Sequence, residues 1–104
     1  MYQVYFIQQV RSKRGEQMPV KIGHSSDVDR RLDNLQTGSP IKLKKRLSLS
    51  FETKKEAALV EKCMHSLAKS KHKALRGEWF VIYGDWKKFI AQSLKMVDGI
   101  NPSK

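Results

Sequence analysis

Apolar and polar side chains alternate from residue 2 to residue 8, with Val4 and Phe6 on one face and Gln3, Tyr5 and Ile7 on the other, the two-residue period of a half-buried strand. Residues 11–18, Arg-Ser-Lys-Arg-Gly-Glu-Gln-Met, are polar and interrupted by Gly15, so they read as a hairpin connection to a second, antiparallel strand at 19–23. The period then changes. Val28, Leu32 and Leu35 fall at helical spacing, and Ser26 with Asp29 three residues on resembles a capping box, so a helix is predicted over 27–36. Thr37-Gly38-Ser39-Pro40 ends it.

Between Ile41 and Phe51 the odd positions are apolar except for Lys45, and the even ones are Lys42, Lys44, Arg46, Ser48 and Ser50. This predicts a long strand with one wet, basic face, and Lys45 marks a bulge or a frayed start. Thr53 and Glu56 form a second capping box, ahead of a helix over 54–69 whose core stripe is Val60, Cys63, Met64 and Leu67. Lys69 to Arg76 reads as a basic loop, and Glu78 to Ile82 as a short buried strand. Gly84-Asp85 introduces a last helix with Trp86, Phe89, Ile90, Leu94 and Val97 inward. Residues 1–98 are expected to form a single domain and 99–104 a loose tail.

With 104 residues the chain is long enough to bury roughly two-thirds of its unfolded surface. No apolar run approaches the ~20 residues of a membrane span, and the first residues lack the pattern of a secretory signal, so a cytoplasmic protein without membrane partners is expected. The one cysteine, Cys63, can form no internal disulfide. Charge changes the picture most. The net charge is +11, and residues 41–80 hold eleven basic and four acidic side chains, so +7 of the total lies there. Such a surface attracts polyanions through counterion release and steering.

Within these elements a few side chains could do chemistry. Arg31 lies one residue from the apolar stripe of its helix, so it can lean over the sheet and grip a phosphate bidentately; the other option is pairing with Asp27, Asp29 or Asp33. Glu61 sits beside the Val60–Met64 stripe with Ala57 and Ala58 one turn earlier, leaving room for a metal ion. His65, four residues on, shares its face as a base, an outer partner, or simply a helix-edge hydrogen-bond partner. Tyr5, on the strand beside the Ile22-Gly23 turn, could orient a water or donate to a phosphate oxygen. The paired short spacings of a structural zinc site are absent from His24, Cys63, His65 and His72.

Together Val4-Tyr5-Phe6, Lys21-Ile22-Gly23, Arg31, Leu35-Gln36-Thr37-Gly38, Glu61 with His65, and Gly77-Glu78-Trp79-Phe80 resemble the GIY-YIG nuclease superfamily, in particular its compact branch whose second signature reads Lys-Ile-Gly. The match spans about residues 2 to 82. It implies an α+β fold, a small three-stranded antiparallel sheet flanked by helices, and metal-dependent hydrolysis of DNA. Carried over, Glu61 binds Mg²⁺ or Mn²⁺, Arg31 stabilises charge on the phosphate, and Tyr5 positions or deprotonates the attacking water. Gly77 to Phe80 is expected to lock the second helix to the sheet.

Two positions depart from that pattern: Lys21 stands where the second signature carries a tyrosine, and Leu35 where many members carry a histidine or tyrosine. Lys21, His24 and His65 remain as alternative supports for catalysis, Lys21 as a phosphate contact or a base. The expectation is an endonuclease acting on DNA, branched or structured DNA included, with Arg30, Lys42, Lys44, Arg46, Lys71, Lys73 and Arg76 contacting nucleic acid and a protein partner available to supply specificity. The alternative is a non-catalytic nucleic-acid-binding module that keeps the fold; a role in protein interaction alone is distinguished by its insensitivity to salt.

Overall fold

Two strands, β1 (Tyr2–Gln9) and β2 (Val20–Ser25), pair antiparallel as predicted, with Tyr5 opposite Gly23 and Phe6 opposite Ile22; β2 runs on through Gly23 to Ser25, where a turn was expected at Gly23. The computed structural model describes residues 1–10 and 18–100, the last by its backbone alone; most of the predicted hairpin connection, 11–17, and the end of the predicted tail, 101–104, lie outside the described residues. The other elements are α1 (Val28–Thr37), β3 (Leu43–Phe51), α2 (Lys54–Lys71), β4 (Lys73–Ala74), β5 (Trp79–Val81) and α3 (Trp86–Ile100). Helix α3 therefore runs through Gly99, where the loose tail was expected to begin.

The sheet has five antiparallel strands in the order β3-β1-β2-β5-β4, so the fold is α+β and the expected three strands are corrected to five. Strands β4 and β5 are only two and three residues long, too short to show a period. The segment expected to be a basic loop is the last turn of α2 followed by β4, which pairs Lys73 with Val81 and Ala74 with Phe80. Nothing in Lys-Ala favours a strand. The free edge of β5 recruits it.

Alternation in β1 divides the core. Val4 and Phe6 face α2 and α3, packing with Ile22, Val60, Met64, Phe80 and Phe89, while Tyr5 and Ile7 face α1 with Val28, Leu43, Leu32 and Leu35. Phe6 also meets Trp86 and Phe89, with ring centroids 5.3 and 6.1 Å apart, which ties α3 to the central strand. In α3, Ser93 is buried and Leu94 exposed, against the expected inward Leu94; the Ser93 hydroxyl donates to the Phe89 carbonyl at 2.9 Å.

The bulge predicted at Lys45 lies next to it. Phe6 pairs with Leu47 and Ile7 with Lys45, so Arg46 is the extra residue. An extra residue reverses the parity. Leu43 packs under α1, whereas Leu47, Leu49 and Phe51 pack on the opposite face, and Lys45 reaches Asp29 of α1 at 3.5 Å. The odd positions therefore do not share one face.

Helix starts are set by side-chain caps. Thr53 Oγ1 accepts from the Glu56 N–H at 3.1 Å, as predicted, but α1 is capped by Asp27, whose carboxylate accepts from the Arg30 N–H, rather than by Ser26. Gln36 ends α1 as a staple: its Nε2 donates to the Ile41 carbonyl at 3.1 Å and its Oε1 accepts from the Leu43 N–H at 2.7 Å, fixing where β3 begins.

His72 closes α2 with its N–H on the Ala68 carbonyl, accepts the Tyr83 N–H on Nδ1 at 2.9 Å, and meets the edge of Phe89. Burial lowers its pKa from 6.5, so the folded state prefers the neutral ring. Because the unfolded chain then binds a proton first, this contribution is present above about pH 6.5 and is lost as pH falls through the folded value. His72→Gln keeps an acceptor for Tyr83 but cannot titrate; its thermal midpoint should fall less than that of wild type between about pH 7 and about pH 5. Equal falls would clear His72 of the effect.

Candidate functional site

Strand β5 pairs with β2 only at Val20–Phe80 and Lys21–Trp79, so the rest of β2, Ile22 to Ser25, has no strand on that side among the described residues. Its backbone still needs partners. The Ile22 N–H donates to the Glu78 carbonyl at 3.3 Å, and the Ile22 carbonyl accepts from His65 Nε2 at 2.7 Å. A notch is left where groups from both faces of the sheet approach one another.

On the α1 face, Tyr5 lies across Gly23. A Cβ built on Gly23 would come within 2.6 Å of the Tyr5 Cζ, so the missing side chain is what lets the phenol cross to the edge of β2. Arg31 Nε donates to Tyr5 Oη at 3.3 Å, so this arginine leans onto the sheet rather than pairing with the aspartates of its own helix. Burial pushes the Tyr5 pKa up, with a partly opposing effect from Arg31 and smaller upward contributions from Glu78 and Glu61. The phenol stays protonated. Since its oxygen accepts from Arg31, its own O–H is left to donate. The same hydrogen bond, with the fields of Glu78 and Glu61, raises the pKa of Arg31.

On the α2 face, His24 Nδ1 lies 3.0 Å from Glu61 Oε1. An ionised carboxylate only accepts, which places the proton on Nδ1 and leaves the lone pair of a neutral ring on Nε2. His65 must likewise carry a proton on Nε2 to donate to the Ile22 carbonyl, and its ring rests 5.0 Å from that of Phe80. The turn at Gly77, where φ is +68°, delivers Glu78 between the two faces. Glu78 Oε1 is 3.9 Å from Lys21 Nζ, and Oε2 is 3.8 Å from His65 Nε2.

Glu61, His65 and Glu78 each offer a ligand atom, all within 4.8 Å of one another. With His65 Nε2 committed to a carbonyl, the donors left through that edge are the two carboxylates, an oxygen set suited to a hard divalent cation with waters completing the shell. His65 then orients rather than ligates.

The structure thus gathers Tyr5, Arg31, Lys21, His24, Glu61 and His65 at one notch, and adds Glu78. The segment expected only to lock α2 does more: Trp79 packs under α1, Phe80 packs under α2, and Glu78 has a functional group in the cluster. No local signal marked Glu78: β5 is too short to show a period, and only the fold puts Glu78 beside His65. The expected nucleic-acid contacts are divided between two flanks. Lys44 and Arg46 lie on the edge strand β3, with Lys42 just before it, while Lys73 lies on the opposite edge strand β4, between Lys71 and Arg76. Arg30 is exposed on α1. No helix among the described residues is long and apolar enough to cross a membrane.

The family model described as the T5orf172 domain matches residues 2–98. No curated protein and no solved structure matches.

Two measurements check this geometry. Gly23→Ala forces its methyl group against the Tyr5 ring and should cost about 1–3 kcal/mol in denaturant unfolding, with Tyr5→Phe failing to rescue it because the ring carbon is still in the way. In an ultraviolet pH titration one tyrosine should ionise later than the ordinary value of 10.0, and that late component should be missing from Tyr5→Phe.

Proposed function

The chain belongs to the T5orf172 domain family, and from that premise we propose that it is a metal-dependent endonuclease that hydrolyses DNA phosphodiester bonds. The observation that carries this reading is the meeting, at one notch of the sheet, of the Tyr5–Arg31 pair with the Glu61–Glu78 carboxylates. The resemblance of the sequence words to the GIY-YIG nucleases supports it, as does the cationic surface.

Phosphodiester hydrolysis needs charge stabilised on the non-bridging oxygens and on the leaving oxygen, and a water aimed in line. Arg31 is held by Tyr5 through Nε only, so its terminal nitrogens remain to grip the non-bridging oxygens. Tyr5, kept protonated by burial, donates its O–H to the water or to a phosphate oxygen; it positions, and does not deprotonate. Of the three alternatives for proton transfer, His24 fits best: Glu61 fixes its tautomer with a lone pair on Nε2, whereas the His65 nitrogen that faces Glu78, Nε2, donates to Ile22, and Lys21 faces Glu78. Glu61 and Glu78 would hold a Mg²⁺ or Mn²⁺ ion, which would supply Lewis acidity toward the phosphate. The flanks bearing Lys42, Lys44 and Arg46, and Lys71, Lys73 and Arg76, hold the DNA backbone on either side.

Purified protein should nick supercoiled plasmid or branched DNA with Mg²⁺ and lose this with a chelator. Arg31→Ala and Glu61→Gln should each lower the rate by about 10²–10³ while DNA binding persists and weakens with salt. Salt-sensitive binding without cleavage of any substrate would instead identify a binding module that keeps the fold, the reading toward which Lys21 and Leu35 point.

A further inference from the structure

Lys21 is among the few charged side chains in the interior. It is 8% exposed, faces the ring of Trp79 with Nζ 5.9 Å from the centroid, and has Glu78 Oε1 at 3.9 Å. Lysine is rarely buried without a compensating charge, and Glu78 is that charge. The separation is too long for a hydrogen bond, so the ammonium is held by the field of Glu78 and the face of the Trp79 ring and can be drawn elsewhere without breaking a hydrogen bond.

Counting formal charges around the notch with both histidines neutral, Lys21 and Arg31 balance Glu61 and Glu78. A divalent cation entering this neutral site leaves positive charge in excess beside Lys21 and Arg31, and a phosphodiester entering it leaves negative charge in excess beside Glu61 and Glu78. Either ligand alone is opposed. Together they offset each other in part, the single charge of a phosphodiester against the two of the ion, because the cation takes the carboxylates and the ammonium is freed toward the phosphate.

We propose that Lys21 is an exchangeable internal cation: it neutralises Glu78 while the divalent ion is absent and turns to the substrate phosphate once Glu78 is taken, which makes metal and DNA binding mutually dependent. This rests on the metal reading given above. Linkage then requires that DNA tighten the metal by the same factor by which the metal tightens DNA. It also gives the lysine at this position of the second signature a role that a neutral side chain could not fill.

The test is Mn²⁺ binding, read from the paramagnetic resonance of the free ion, with and without a short phosphorothioate duplex. In the absence of DNA, Lys21→Met should bind Mn²⁺ about tenfold tighter than wild type, and Lys21→Arg should resemble wild type. Adding the duplex should tighten Mn²⁺ binding to wild type about tenfold and to Lys21→Met much less. Should Lys21→Met not fold, Lys21→Gln, which also removes the charge, is read in its place. Equal Mn²⁺ affinity of wild type with and without DNA, or Lys21→Met binding no tighter than wild type, would overturn the exchange. If in that case Glu61→Gln still abolishes Mn²⁺ binding, the metal site stands without it; if Mn²⁺ binds no variant under any condition, both readings fall.

Discussion

A strand that loses its neighbour part-way along must find other partners for its amides, and the second half of β2 is in that position. At Ile22 the partners are a helix side chain, His65, and the backbone of Glu78. Those two contacts bring an imidazole and a carboxylate to a sheet edge. Had β5 continued alongside β2 to Ser25, the ladder would have satisfied the same amides and closed the notch. The shortness of β5 is therefore a condition of the site.

The second constraint is that the groups come from opposite faces of one sheet. Tyr5, Lys21 and Trp79 belong to the face under α1, and His24, Glu61 and His65 to the face under α2. A sheet normally separates such groups. Here Gly23 lets the phenol cross the strand on one side, while Glu78 bridges the charges on the other. The upward pull of Glu61 and Glu78 on both Tyr5 and Arg31 is the electrostatic trace of that proximity.

How much of this the sequence disclosed depended on whether a signal was local. The alternation of β1 divided Val4 and Phe6 from Tyr5 and Ile7 correctly, and Thr53 with Glu56 marked the start of α2. Arg31, one position off its stripe, was legible as a side chain that leans over the sheet. The Arg46 bulge hid the true faces of β3, since one extra residue inverts every later side chain and only the pairing partner reveals where it falls. Strands of two and three residues carry no period at all. Glu78 was overlooked because its neighbours Trp79 and Phe80 have an evident packing role, and a carboxylate beside them draws attention only once His65 is seen across the gap.

Leu35 gains a different meaning from the packing. A histidine or tyrosine at this position would add a polar group near the site; the leucine packs with Tyr5, Ile7, Val28 and Leu43 instead. Helix α1 has ten residues, and of these Val28 alone is fully buried, so little else fixes its rotation against the sheet. Leu32 and Leu35 supply the rest of that apolar contact. Arg31 reaches Tyr5 from this helix and no other, and a small rotation of α1 would carry the guanidinium off the phenol. Leu35 thus acts on the notch through α1, holding Arg31 against the phenol of Tyr5.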